Sequence, residues 1–128
     1  MKMKIQVKFI IFIAIVVILV GGFGVYSFLK PVPPSKLDGF AQCLKSSGAE
    51  FYGAFWCSHC KEQKDLFGSS FKYLPYIECA NKDNSQKQVC IDKKIEGYPT
   101  WVFKDGTRES GKMELTTLAQ KTQCLLPE

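Results

Sequence analysis

The 128-residue sequence is poor in histidine, in net charge beyond its first 30 residues, and in repetition. His59 is the one histidine, so a site built from several imidazoles is excluded. A metal set of Cys57, His59 and Cys60 would suit Cu(I) or zinc in ligand softness. It would, however, draw three ligands from four residues at one helix start, a poor basis for a tetrahedral site. A metal-delivery module is therefore the weakest functional reading, and no metal or other cofactor is expected. The formal net charge of +5 misleads. Lys2, Lys4, Lys8 and Lys30 flank an apolar segment, and the remaining residues carry 13 basic and 12 acidic side chains. No basic patch is left to bind nucleic acid. No internal repeat or low-complexity block occurs, and the length after the apolar segment suits one domain.

Charge is missing altogether from Phe9 to Leu29, a run rich in Ile, Val and Phe. As a helix it is about 31 Å long at about 1.5 Å per residue, close to the hydrocarbon thickness of a bilayer. Residues 1–8 form a short basic N-terminus, and lysines ahead of such a span favour a cytoplasmic start. The expected organisation is a transmembrane signal anchor over 9–29, a spacer over 30–36 and an extracytoplasmic domain over 37–128. The competing reading is a cleaved signal peptide and a secreted domain. Against it, no clean Ala-x-Ala site appears and the apolar run continues past Gly22 and Gly24. Pro31, Pro33 and Pro34 cannot continue a helix, and favour an extended, semi-rigid spacer.

Six cysteines in a small exported domain point to an oxidising compartment. Cys57 and Cys60 stand in Cys-x-x-Cys, and can close a disulfide within one helical turn. An aromatic, strand-prone stretch leads into them and good helix formers, Lys61 to Phe67, lead out. At a helix N-terminus the free N–H groups and the dipole stabilise a thiolate on Cys57. That thiolate attacks disulfides, and Cys60 resolves the mixed disulfide. The alternative is a purely structural Cys57–Cys60 bond. The other four, Cys43, Cys79, Cys90 and Cys124, allow three connectivities.

Around this motif the pattern predicts helix over 36–47, strand over 50–56, helix over 58–67 and a strand within 71–79. A loop over 81–85, helix over 86–95, strand over 99–103, an Asp105-Gly106 turn, edge strand over 107–111 and helix over 114–125 follow. The order α-β-α-β-α-β-β-α suits an α/β fold, a central sheet with helices on both faces.

Trp56-Cys57-Ser58-His59-Cys60 and the later Gly97-Tyr98-Pro99-Thr100 turn resemble the thioredoxin superfamily. More narrowly, the series from Tyr52 through Lys64, Leu66-Phe67-Gly68, Tyr76-Ile77-Glu78-Cys79 and Ile95 through Trp101 resembles the thioredoxin-like domain fused to, or partnered with, bacterial and plant homologues of vitamin K epoxide reductase (VKOR). The resemblance implies a three-layer thioredoxin-like fold with a mixed sheet. It implies that Pro99 is a cis-proline facing the motif, where the Tyr98 backbone pairs with an incoming peptide; the alternative is an ordinary strand-entry proline. Trp56 is expected on the rim of that substrate groove, with Ser58 offering its backbone N–H, and Trp101 in the core.

The resemblance also implies a Cys79–Cys90 bond. Cys43 and Cys124 are then paired by elimination, with free buried thiols or a relay to a membrane partner as alternatives. Their two helices are expected to be able to lie on opposite faces of the sheet. His59, a residue type also seen there in strongly oxidising relatives, would stabilise the Cys57 thiolate, unless it is a plain exposed polar residue. Two features depart from the family. The four-helix membrane domain is absent from this sequence, so such an oxidase would act in trans. The buried acid six residues before the first cysteine is Phe51 here, with Glu50 one residue off and facing the other side of the strand. That departure weighs against reductase chemistry more than against oxidase chemistry. The leading functional reading is an anchored thiol–disulfide oxidoreductase that donates disulfides to exported proteins. A tethered reductase is the alternative.

Overall fold

The computed structural model describes residues 2–28 and 34–128; most of the expected proline spacer, including Pro31 and Pro33, lies outside them. The chain divides into an N-terminal unit, up to residue 33, and a folded unit over 34–128. The first is one helix, α1 (Lys2–Phe28), and its stretch Gln6–Gly24 is long and apolar enough to cross a membrane.

The second unit runs α2 (Asp38–Ser46), β1 (Glu50–Gly53), α3 (Ser58–Asp65), a 3₁₀ segment (Gly68–Tyr73), β2 (Tyr76–Glu78), α4 (Gln88–Asp92), β3 (Thr100–Val102), β4 (Arg108–Ser110) and α5 (Leu115–Thr122). The four strands form one mixed sheet in the order β2-β1-β3-β4. β1 pairs parallel with β2, and antiparallel with β3, which pairs antiparallel with β4. The parallel pair needs a crossover, which α3 and the 3₁₀ segment supply.

Successive strand residues point to opposite faces, and the two faces have different covers. Phe51, Tyr76 and Trp101 turn toward α2, α3 and α5, where Phe40, Leu44, Cys60, Phe67 and Leu118 complete the main core. The Phe51 ring stacks on Trp101 at 4.8 Å between centroids and meets Tyr76 edge-on at 5.2 Å. On the other face Tyr52, Ile77 and Val102 pack with Cys79, Cys90 and Ile95, around α4. Tyr98 is shared between the two clusters. This is the thioredoxin-like arrangement, a mixed sheet flanked by helices.

Several boundaries differ from the sequence reading. β1 ends at Gly53 rather than Trp56, because the chain turns there and Cys57 N–H bonds back to the Ala54 carbonyl at 3.0 Å. The strand expected within 71–79, entered after Pro75, is the short β2, and Phe71–Tyr73 ahead of it belong to the 3₁₀ segment that starts at Gly68 with φ +52°. The helix over 86–95 contracts to α4, since Gln86 pairs with Ala80 in an isolated bridge. The expected helix over 114–125 closes at Thr122, and Gln123 turns left-handed at φ 58°. Finally, Cys43 of α2 and Cys124 beyond α5 do not lie on opposite faces. They are bonded to each other, with Cα atoms 5.8 Å apart.

Candidate active site

The turn at Ala54–Trp56 lifts two aromatic side chains out of the core. Phe55 and Trp56 are more than half exposed, although their neighbours Ala54 and Cys57 are buried. Cys57 caps α3 with extended backbone, φ −80° and ψ 116°. Its sulfur accepts the Cys60 N–H at 3.1 Å, one of the donors that a helix start leaves free. Cys57 retains 8% of its surface exposed, whereas Cys60 retains none. The two sulfurs are bonded. A sulfur that is reachable, capped by an N–H and set at a helix N-terminus is suited to carry negative charge. Such a pair can exchange its bond with other thiols and disulfides, the outer sulfur being attacked and the inner one leaving.

Ser58 opens α3 and is exposed. His59 is also exposed, and its Nδ1 lies 3.3 Å from a carboxylate oxygen of Glu62, a pair on the helix surface. The peptide bond between Tyr98 and Pro99 is cis. Pro99 is buried, while the half-buried Tyr98 ring meets Trp56 edge-on at 5.9 Å. The structure thus brings Trp56, Cys57, Cys60 and Tyr98-Pro99 to one end of the sheet. Trp101 lies elsewhere, fully buried, with its Nε1–H donated to Gln63. Cys79–Cys90 and Cys43–Cys124 are both bonded, and the first lies in the cluster against which the inner side of Tyr98 packs.

Four residues that shape the site were not singled out from the sequence. Gln63 is a fully buried amide on α3. It accepts from Trp101 Nε1–H and from Met113 N–H, and donates to the Met113 carbonyl, fixing the helix to β3 and to the approach to α5. Gly53 leaves a notch. A Cβ there would stand 2.8 Å from Tyr76 Cε2 and 3.1 Å from Cys60 Sγ. Glu78 lies opposite Gly53 in register. One of its carboxylate oxygens accepts from Phe55 N–H at 3.2 Å and Ala80 N–H at 2.9 Å, the other from Tyr76 O–H at 2.6 Å. Burial, then that bond, push the Tyr76 hydroxyl's pKa up. Lys64 Nζ lies 3.7 Å from the Tyr76 ring centroid. The signal available in the sequence was the spacing of Tyr76 and Glu78, two apart and so on one strand face.

The sequence model described as thioredoxin matches residues 40–123. Thiol-disulfide oxidoreductase LTO1 of Arabidopsis thaliana is 47% identical over 87 residues, covering 64% of this chain and 23% of that protein. A thioredoxin domain-containing protein 5 homolog of Drosophila melanogaster is 32% identical over 96 residues, covering 63% of this chain and 22% of its own. The chain thus spans under a quarter of the length of either relative. The chain belongs to the thioredoxin family.

Proposed function

We propose that this thiol–disulfide oxidoreductase of the thioredoxin family is anchored by α1, faces away from the cytoplasm and donates disulfides to exported proteins. The observation that carries this reading is the Cys57 sulfur, capped by the Cys60 N–H at the start of α3, in a residue that keeps 8% of its surface exposed where Cys60 keeps none. A helix start stabilises the Cys57 thiolate, hence the reduced form, and makes the oxidised form a better oxidant. The name of the Arabidopsis relative, thiol-disulfide oxidoreductase, agrees with the chemistry. The length and apolarity of Gln6–Gly24 support the anchor, and the lysines at 2, 4 and 8 support a cytoplasmic start.

The reaction runs in two exchanges. A substrate thiolate attacks Cys57 Sγ, the Cys57–Cys60 bond breaks, and Cys60 leaves as a thiolate that takes up a proton. A second substrate thiolate then attacks the substrate sulfur of the mixed disulfide. The substrate disulfide forms and Cys57 departs as a thiolate, so two electrons have passed from substrate to protein. Trp56, next to Cys57 in the chain, and Tyr98-Pro99, whose tyrosine ring meets Trp56, would hold the extended substrate, with Ser58 offering its N–H. His59, beside Glu62, contributes positive charge near the helix start when protonated. Reoxidation would fall to a membrane oxidase of the VKOR kind.

The test uses the oxidised full-length protein in detergent, mixed with a reduced, unfolded substrate protein that needs disulfides for activity. Substrate activity should return together with loss of the Cys57–Cys60 bond, and Cys57→Ser should abolish the transfer. Transfer that persists in Cys57→Ser, or none from the wild type, would overturn the reading.

A further inference from the structure

We infer that Lys64 and Glu78 are positioning residues that act in opposite directions on the acidity of the Cys57–Cys60 dithiol, and so set how strongly the oxidised pair draws electrons. The inference rests on the proposed exchange chemistry and extends it to two side chains that no exchange step touches.

Its basis is the packing behind Cys60. The Gly53 notch lets the Cys60 sulfur and the Tyr76 ring edge approach the same point, where any larger residue would place its Cβ. Lys64 follows Cys60 by one helical turn on α3 and lays its ammonium over the Tyr76 ring, also 5.0 Å from the Phe71 centroid. Glu78 reaches the same ring from β2 through the Tyr76 hydroxyl, and grips Phe55 N–H two residues ahead of Cys57. A cation over the face and an anion at the hydroxyl are thus held on the ring that shares this notch with the inner sulfur, both half-buried and incompletely screened. Burial pushes the Lys64 ammonium toward losing its proton, and the Glu78 carboxylate opposes this, as two charges in mutual range should.

A nearby positive charge favours a thiolate and a negative charge disfavours it. The other titratable groups around the dithiol are differently placed. His59 and Glu62 pair on the exposed side of α3. Tyr76 donates to Glu78, and Tyr98 adds to the rise in the Tyr76 pKa. On β1, Glu50 and Tyr52 bond to each other. Lys64 and Glu78 are the pair of opposite formal charges that share the Tyr76 ring.

The experiment is the pH profile of Cys57 alkylation in the full-length protein in detergent, its Cys57–Cys60 bond selectively reduced with glutathione, with Cys57 followed by peptide mass. Glu78→Gln should move the midpoint to lower pH, and Lys64→Met to higher pH, each by about half a unit to one unit. Lys64→Arg, which keeps the charge, should restore the wild-type midpoint, and the double variant should fall between the two single ones. Loss of packing alone would not produce shifts of opposite sign. Variants that shift together or not at all, in a protein whose wild type exchanges with glutathione, would overturn this inference alone. A wild type that exchanges with nothing would overturn the functional reading as well.

Discussion

Cys57–Cys60 and Cys79–Cys90 are two disulfides of one small domain, on opposite sides of β1, and their surroundings differ in every respect that governs exchange. Cys57 is reachable, caps a helix, and stands beside two exposed aromatic residues. Cys79 and Cys90 are fully buried among Tyr52 and Ile95, with Ile77, Tyr98 and Val102 packed around them. Thiol–disulfide exchange needs an attacking thiolate to reach a sulfur and a stabilised leaving group. The first pair offers both and the second neither, so the same covalent bond is open to exchange in one place and closed to it in the other. Cys43–Cys124 is less enclosed than Cys79–Cys90, Cys124 being buried and Cys43 half-buried. It ties α2 to the chain beyond α5 across a sequence separation of 81.

On this division, removing the structural bonds should cost stability that rises with the logarithm of loop length. By the chain-entropy relation, replacing Cys43 and Cys124 with Ala should lower unfolding stability by about 4–5 kcal/mol, and replacing Cys79 and Cys90 by about 3 kcal/mol. Urea unfolding followed by Trp fluorescence measures both, and the Cys43/Cys124 variant should still exchange at Cys57. A Cys43/Cys124 variant that stays fully stable but no longer transfers disulfides would break the division, and make that bond a relay. Gly53→Ala probes the border between the regions. Its Cβ would meet Tyr76 and Cys60 at distances that neither can keep. A loss of about 1–3 kcal/mol is expected from overpacking, read by the same unfolding curve, and no loss would mean that the notch is not needed.

The smallest effect concerns His59. Its imidazole faces Glu62 on the helix surface. His59→Ala should therefore lower the reduction potential by less than about 30 mV, which is a tenfold change in the two-electron equilibrium constant. A larger fall would show that the imidazole acts on Cys57 directly.

The order of elements was legible from the sequence because local pattern and turn residues carried it: Cys57-Ser58-His59-Cys60 with helix formers after it, Asp105-Gly106 between β3 and β4. Strand length was not legible. Phe55 and Trp56 are aromatic and strand-prone, yet the turn closed by Ala54 and Cys57 exposes them, and an exposed site aromatic has the same propensity as a core one. The 3₁₀ segment ahead of β2 was not legible either, since so short a segment has no long periodicity to detect. The Cys43–Cys124 bond depends on which face each helix covers, a tertiary fact that spacing in sequence does not encode. The direction of the His59 ring and the meeting of Lys64 with Glu78 around Tyr76 are likewise set by packing between elements. Gly53 looked like an ordinary small residue until the two side chains that fill its notch were placed.

The account rests on the direction in which electrons flow through Cys57–Cys60. Equilibrating the full-length protein in detergent with glutathione buffers, and trapping the two thiols by alkylation, measures it most directly. A disulfide donor should show a potential between about −120 and −180 mV, the range spanned by DsbA and protein disulfide isomerase. A value near about −270 mV, that of thioredoxin, would contradict it and make the protein a reductase.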